Sequence, residues 1–357
     1  MAKKQSDIAV IDLFCGIGGL SHGFVIEGFN VVAGYDNVLN CKYAYEKNNK
    51  AKFHHKDVTL LKGSELNSLF GENIKILIGC APCQPFSSYS FKIKQKDEHK
   101  VNLLYEFSRL IKECSPDIVS MENVPQLLNF NKSSIFNDFI NVLKSLDYHI
   151  DYKIVYCPDY GIPQTRKRLV LLASKLGKIS LLTPTHTPEN YVTVRDAIGH
   201  LNPVKAGEYD KADPLHRARL LNALNLKRLR YTKEGGGWKD WPKELLPECF
   251  KKDSGKTYGS VYGRMRWDKP SPTMTTHCTG LGNGRFGHPQ QDRAITLREA
   301  ALLQTFPENY QFFESMETYN TSIICKQIGN AVPPMLGQIV AQSIKEHLKK
   351  YKSWQKK

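Results

Sequence analysis

A chain of 357 residues, 41% hydrophobic and 24% charged, is long enough for a large domain with its own core plus a smaller one. The formal net charge of +15 favours a polyanionic partner, because surface Lys and Arg release counterions from phosphates. No stretch reaches the roughly 18 uninterrupted apolar residues of a membrane span, and Met1–Ser6 leads into an apolar run without a signal-peptide pattern, so a cytoplasmic protein with no membrane contact is expected.

The first half alternates short apolar runs with helical patterns. Ile8–Phe14 reads as a buried strand that ends at Cys15-Gly16-Ile17-Gly18-Gly19. Leu20–Glu27 fits a helix and Phe29–Tyr35 a second strand; Ile74–Gly79 and Asp117–Met121 are further strands. Leu103, Phe107, Leu110, Ile111 and Cys114 recur at helical spacing, as do Ile135, Phe139, Val142, Leu143 and Leu146. Tyr148–Tyr156 and Arg168–Ser174 read as the last strands. Such alternation predicts an α/β fold with a doubly wound, mostly parallel, Rossmann-like sheet.

Beyond Thr183 the texture changes to Pro, Lys and glycine runs such as Gly235-Gly236-Gly237. Residues 184–321 are expected to form a smaller, loop-rich domain. Residues 1–183 and 322–357 would form the larger one, closed by an amphipathic helix over Pro334–Leu348. The positive charge is partly local: Leu215–Lys233 carries Arg217, Arg219, Lys227, Arg228, Arg230 and Lys233 without an acid. The nine cysteines are scattered, several of them in apolar runs, as buried free thiols are. Cys80-Ala81-Pro82-Cys83 has no second pair at zinc spacing, so no metal site is expected. A redox pair is disfavoured as well, since Gln84-Pro85-Phe86-Ser87 follows where that motif would open a helix.

Two stretches carry chemistry. Asp12–Gly19 is a strand, a glycine turn and a helix start, and Asp36 lies at the end of the next strand, where an acid can grip a ribose hydroxyl. That points to an adenosine-containing cofactor, with NAD and S-adenosylmethionine both open on spacing alone. Asp57 would reach an adenine amino group or cap a turn. Cys83 follows a strand end between Pro82 and Pro85, which hold its backbone, and nearby positive charge would favour its thiolate. Glu122 ends another strand and is placed to act as an acid; Arg166 and Arg168 lie before a third.

Together these residues resemble the DNA (cytosine-5)-methyltransferase family, motif by motif and in order. Asp12–Gly19 resembles its first cofactor motif, Pro82–Ser87 its nucleophile motif, Glu122-Asn123-Val124 its acid motif and Gln164–Arg168 its Gln-x-Arg-x-Arg motif. Arg293–Pro307 resembles the motif that closes the recognition region, and Gln327–Pro334 the last motif. The resemblance implies a bacterial modification enzyme that methylates C5 of a flipped-out cytosine in double-stranded DNA, with S-adenosylmethionine as cofactor. It implies Cys83 as nucleophile on C6, Glu122 at N3, Arg166 on the base carbonyl and Arg168 in support. Phe14, Gly16, Gly18, Asp36, Asp57, Pro82, Leu103, Asn330 and Val332 would line the cofactor.

The loop Gln84–Asn102 would close over the target, with Gln84, Ser87, Lys92, Lys94 and Lys96 near phosphate. Residues 184–293 would read the DNA sequence. There Arg264, Arg266, His277, Asn283 and Arg285 are candidates for contact with phosphates or bases, with phosphate contact or a role in holding the fold favoured over base reading, and Trp238 and Trp241 are packing residues. The expected enzyme is a monomer; a restriction-modification partner, a solitary methylase and an epigenetic regulator all fit, and any cognate restriction endonuclease would act on the same site without forming a stable complex.

Overall fold

The computed structural model describes residues 8–82, 98–251 and 259–354. In chain order it contains β1 (Ile8–Leu13), α1 (Gly19–Ile26), β2 (Val31–Asp36), α2 (Lys42–Asn49), β3 (Lys52–His55), α3 (Gly63–Phe70) and β4 (Ile74–Gly79). Then come α4 (Glu98–Cys114), β5 (Ile118–Asn123), α5 (Ser134–Ser145), β6 (His149–Tyr156) and β7 (Lys167–Ser174). There follow α6 (Val194–Ile198), the short pair β8 (Tyr209–Asp210) and β9 (Asp213–Arg217), α7 (Ala223–Tyr231), α8 (Glu248–Lys251), α9 (Leu297–Leu303), α10 (Thr321–Asn330) and α11 (Pro334–Trp354). Helix α4 starts at Glu98, inside the segment expected to be loop up to Asn102.

The chain divides into two compact units. One comprises Met1–Tyr156, Lys167–Pro184 and Ala331–Lys357; the other comprises Cys157–Arg166 and Thr185–Asn330. Residues 157–166 and 322–330, drawn into the larger domain on sequence, thus belong to the second unit.

The first unit is built on a seven-stranded sheet of order β3-β2-β1-β4-β5-β7-β6. Strands β1 to β5 run parallel, and β7 is antiparallel to both β5 and β6. The central strands are unbroken apolar runs because both faces are covered: Ile76, Leu77 and Ile78 of β4 are fully buried. Helix α4 places Leu104, Phe107, Leu110, Ile111 and Cys114 in the core, with Phe139 and Leu143 of α5 in the same cluster.

Helix α11 packs on α1 at very close range. A Cβ on Gly23 would stand 2.2 Å from Gln338 N, and one on Gly337 would stand 2.6 Å from Leu20 O. Glu27 then ties the far end, accepting from Gln338 and Gln342 and pairing with Lys345 at 3.3 Å. The last helix is thereby anchored beside the glycine turn that precedes α1.

The second unit holds only short elements. A small aromatic core of Trp238, Trp241, Leu245, Phe250 and Val261 organises part of it, and Trp241 Nε1 donates to Thr232 Oγ1 at 2.7 Å. Both tryptophans are buried packing residues. Among the described residues no helix is long and apolar enough to cross a membrane, and no group of three or more His, Cys, Asp and Glu side chains is disposed to hold a metal ion.

Candidate active site

The sheet order reverses between β1 and β4, whose ends lie side by side with Leu13 paired to Gly79. Connections leave this point in opposite directions, which opens a crevice at the carboxyl ends of the strands. The glycine turn after β1 occupies it. Phe14 and Gly16 take left-handed backbone angles, φ 60° and 51°, and Gly18 has φ 89°. The two glycines differ in kind. A Cβ on Gly16 would meet nothing within 4 Å, whereas one on Gly18 would collide with Asn49 Nδ2 at 2.1 Å and the Tyr45 ring at 2.9 Å. Gly18 is demanded by packing; Gly16 borders open space.

Asp36 ends β2 and folds back on this turn. Its Oδ2 accepts from Gly16 N at 2.9 Å and its Oδ1 from Val38 N at 2.8 Å. Burial raises its pKa against the pull of these amides. Beneath the turn Asp12 is buried, with Oδ2 accepting from Ser21 Oγ at 2.7 Å and Ser21 in turn 3.1 Å from Tyr45 Oη. Burial carries the Asp12 carboxyl up to about 7. Val332, from the motif before α11, is buried against α1: a Cβ on Gly19 would stand 2.2 Å from its carbonyl. Phe14 is half-buried, edge-on to Phe107 at 6.4 Å; Leu103 packs on the same core, and Pro82 is exposed. Asp57 caps a turn, accepting from Thr59 N at 2.9 Å and Thr59 Oγ1 at 2.8 Å.

The acidic group comes from the neighbouring strand. Glu122, 4% exposed near the end of β5, has Oε1 2.8 Å from Arg168 Nε. Its Oε2 accepts from the Cys80 thiol at 2.7 Å. Strand β7 supplies Arg168 because it pairs antiparallel with β5, placing Val170 opposite Glu122 and Leu169 opposite Asn123. Asn123 Nδ2 reaches back to Ala81 O at 3.3 Å and ties the segment after β4 to the acid strand. Cys80, weighed on sequence only as half of a metal or redox pair, is instead a hydrogen-bond donor to the acid; its position just after β4 was the signal for this. Cys83, Gln84, Ser87, Lys92, Lys94 and Lys96 lie outside the described residues.

Arg166 and Asn330 belong to the second unit. Arg166 is buried, with Nη1 3.5 Å from Met274 O. Gln164 anchors the segment: Nε2 donates to Gln304 Oε1 at 2.6 Å and Leu303 O at 3.2 Å, and Oε1 accepts from Met274 N at 3.0 Å. Asn330 ends α10 and is exposed.

The three arginines expected at DNA are not alike. Arg264 is 4% exposed, and its guanidinium donates to Thr232 O, Leu229 O, His288 O, Gln291 O and Asp292 Oδ1. It is a structural hub rather than a surface contact, which corrects its candidacy for DNA contact and agrees with the alternative that it holds the fold. Arg285 is half-buried, donating through Nη1 to Gly235 O and Gly236 O; burial, then the neighbouring Arg266, lowers its pKa. Arg266 is exposed along the Gly235 backbone. Arg293 and Glu299 form a buried bidentate pair at 2.7 and 2.8 Å, and Thr296 and Glu299 cap α9 reciprocally.

The sequence matches the family described as C-5 cytosine-specific DNA methylase over residues 8–346. The chain belongs to this family. It is 57% identical over 342 residues to the Type II methylase M.HgiDII of Herpetosiphon aurantiacus, covering 95% of this chain and 96% of that protein. It is 32% identical over 342 residues to the Type II methyltransferase M1.HphI of Haemophilus parahaemolyticus, covering 94% and 86%. A crystal structure of a prophage-encoded DNA modification methyltransferase (E. coli) matches with a TM-score of 0.74 at 24% identity, covering 96% of this chain and 99% of that one. The chain is therefore a DNA cytosine-5 methyltransferase with the Rossmann-like methyltransferase fold, and DNA is its substrate.

Proposed function

We propose that this methyltransferase modifies one cytosine within a specific duplex sequence by flipping it out and bonding it to Cys83, with S-adenosylmethionine as methyl donor. Extrusion of the base costs about a few kcal/mol of unstacking and is needed because C5 and C6 are inaccessible inside the duplex. Cys83 adds to C6 as the thiolate. Glu122 shares or donates a proton at N3, so the ring's electrons collect at C5, which becomes nucleophilic. After methylation C5 loses its proton and Cys83 departs, restoring the aromatic ring. Arg166 holds the base carbonyl oxygen, and Arg168 keeps Glu122 in position.

The observation that carries this reading is the buried Glu122, held through both oxygens by Arg168 and Cys80 three residues before Cys83. A carboxyl fixed in this way is preorganised for proton work.

The residues around the glycine turn fit the cofactor. Gly16 borders open space, Asp36 stands against it, and Phe14 offers a half-buried ring beside them. S-adenosylmethionine, when bound, supplies an electrophilic methyl group. Asp36 would bind its ribose, and Phe14, Gly16, Asp57, Pro82, Leu103, Asn330 and Val332 would line it; Gly18 shapes the turn from behind.

The second unit is read as the target-recognition region, with the exposed Arg266 and the half-buried Arg285 as phosphate or base contacts. Restriction-modification is the proposed setting, since the relatives at 57% and 32% identity are named as Type II enzymes. The enzyme would act in the bacterial cytoplasm as a monomer, sharing its site with an endonuclease but forming no stable complex with it.

The test is covalent trapping. Wild type with cofactor and duplex DNA carrying 5-fluorocytosine at the target, found by bisulfite sequencing, should form a denaturation-resistant adduct. Cys83→Ser should bind the duplex without forming it. Turnover by Cys83→Ser, or an adduct that maps to another residue, would overturn the reading.

A further inference from the structure

Cys278 and Cys325 are 47 positions apart in sequence, yet their sulfurs lie 3.5 Å apart inside the second unit. Cys278 is fully buried and Cys325 is 2% exposed. Neither belongs to the chemistry described above. We infer that the two thiols form a peroxide-sensitive dithiol site, which closes to an intramolecular disulfide and pins α10 to the turn that holds Cys278.

The local structure holds the pair in register from both sides. Cys278 N donates to Thr275 O at 3.2 Å, closing a turn over residues 275–278. Helix α10 packs directly on that turn: a Cβ on Gly329 would stand 2.3 Å from the Thr275 backbone. Closing the bridge brings the sulfurs from 3.5 Å to the ~2.0 Å of a disulfide bond.

The two thiols are also unequal. The two sulfurs lie within hydrogen-bond distance of each other, and the Thr279 hydroxyl donates to Cys325 Sγ at 3.6 Å. Both contacts favour the Cys325 thiolate against the opposing effect of burial, drawing its pKa down to about 6. Cys278 keeps its proton. The Thr279 hydroxyl, which donates to Cys325 Sγ, marks Cys325 as the attacking sulfur and Cys278 as the resolving one.

The electrons balance with hydrogen peroxide as the two-electron oxidant. The Cys325 thiolate attacks one peroxide oxygen, the O–O bond breaks, and hydroxide leaves, giving a sulfenic acid. Cys278 sulfur then attacks Cys325 sulfur, the S–O bond breaks, and the Cys278 proton departs with the oxygen as water. A small oxidant suits the site, because a bulky disulfide would have to enter a fully packed region. The bridge would tie together residues far apart in sequence, which restricts the unfolded chain more than a short loop does.

The experiment treats the full-length protein with graded hydrogen peroxide and maps peptides without reduction, using the exposed Cys249 as the internal gauge of dose. The expected product is a Cys278–Cys325 disulfide, with a rise of several degrees in Tm, both reversed by dithiothreitol. Cys278→Ala and Cys325→Ala should each abolish cross-link and Tm rise together. If Cys278 and Cys325 remain free thiols at doses that oxidise Cys249, or if either is found only as an irreversible acid, the inference is wrong. Mapping wild type alone decides this even if an alanine variant does not fold.

Discussion

Arg168 Nε stands 2.8 Å from Glu122 Oε1 across two antiparallel strands, and the Cys80 thiol occupies the other carboxyl oxygen at 2.7 Å. Each partner belongs to a different strand or strand end, so the acid is fixed by the sheet rather than by its own rotamer alone. The arginine compensates a charge that burial would otherwise penalise, and the thiol sets the direction of the second oxygen. Arg168 accordingly takes the positioning role in the proposed mechanism.

Replacing Glu122 by Gln keeps the volume but removes the carboxyl group that can exchange a proton at N3. Methyl transfer should fall by about 10²–10⁴-fold, the range for loss of acid–base assistance, while DNA affinity stays near wild type. Arg168→Lys retains the charge but loses the planar fork. It should lower kcat with little change in KM for DNA and should alter the pH profile of kcat. Single-turnover methylation over a pH series, alongside DNA-binding titrations, checks both; an Arg168→Lys variant with an unchanged profile would remove the positioning role.

Gly16 and Gly18 should separate binding from stability. Gly16→Ala costs roughly 1 kcal/mol for a left-handed backbone and meets no atom, so the fold should survive while cofactor affinity drops. Gly18→Ala adds a clash with Asn49 and Tyr45 to the same backbone strain, for a total of about 2–5 kcal/mol. Thermal melts combined with calorimetric titration of S-adenosylmethionine distinguish the two. A Gly18→Ala protein as stable as Gly16→Ala would contradict the packing assigned here.

Arg264 and Arg266 make an analogous pair for DNA. Arg264→Met leaves backbone carbonyls of four residues without their donor and should cost about 3 kcal/mol of stability. Arg266→Ala should leave the melt unchanged and weaken DNA binding. It should also reduce the slope of log affinity against log salt by about 0.9 if the side chain neutralises one phosphate. Salt-series binding curves for both variants provide the measurement.

Much of the first unit was legible because its physical signals are local. Strand β4 was read from Ile74 to Gly79, as observed, and the spacing of Leu103 to Cys114 identified the buried face of α4. Strand β3 was unmarked because it is a four-residue edge strand with only Phe53 buried. Helix α2, KYAYEKNN, buries just Ala44, Tyr45 and Asn49 and so shows no apolar stripe. The position of Asp36 at the end of β2 was legible; its hydrogen bond from Gly16 N was not. The hydrogen bond from Cys80 to Glu122 was hidden, since it depends on how two parallel strands end side by side. Arg264 stayed ambiguous between DNA contact and a structural role for a related reason: a guanidinium buried among carbonyls and one offered to phosphate have the same letter in a sequence.

The buried pair Arg293–Glu299 predicts how the protein responds to acid. Burial alone would raise the Glu299 carboxyl, but hydrogen bonds and charge from Arg293 outweigh it, leaving a pKa of about 2 against an ordinary 4.5. His288, 3.6 Å from the same carboxylate, is held near 4 instead of 6.5, with burial the largest cause. Both folded-state values are depressed, so in each case the unfolded chain binds the proton first. The contribution of His288 is complete above pH 6.5 and is lost as pH falls towards 4; that of Glu299 is complete above 4.5 and is lost on approach to 2. Each amounts to roughly 3 kcal/mol. Stability should therefore begin to fall below about pH 6.5, well before most carboxylates titrate. Glu299→Gln should flatten the lower limb while destabilising the fold by about 3–5 kcal/mol, because it leaves Arg293 buried without its anion. Urea unfolding midpoints measured from pH 8 to pH 2 test the sequence of events. A flat profile down to pH 5 would exclude a buried, neutral His288.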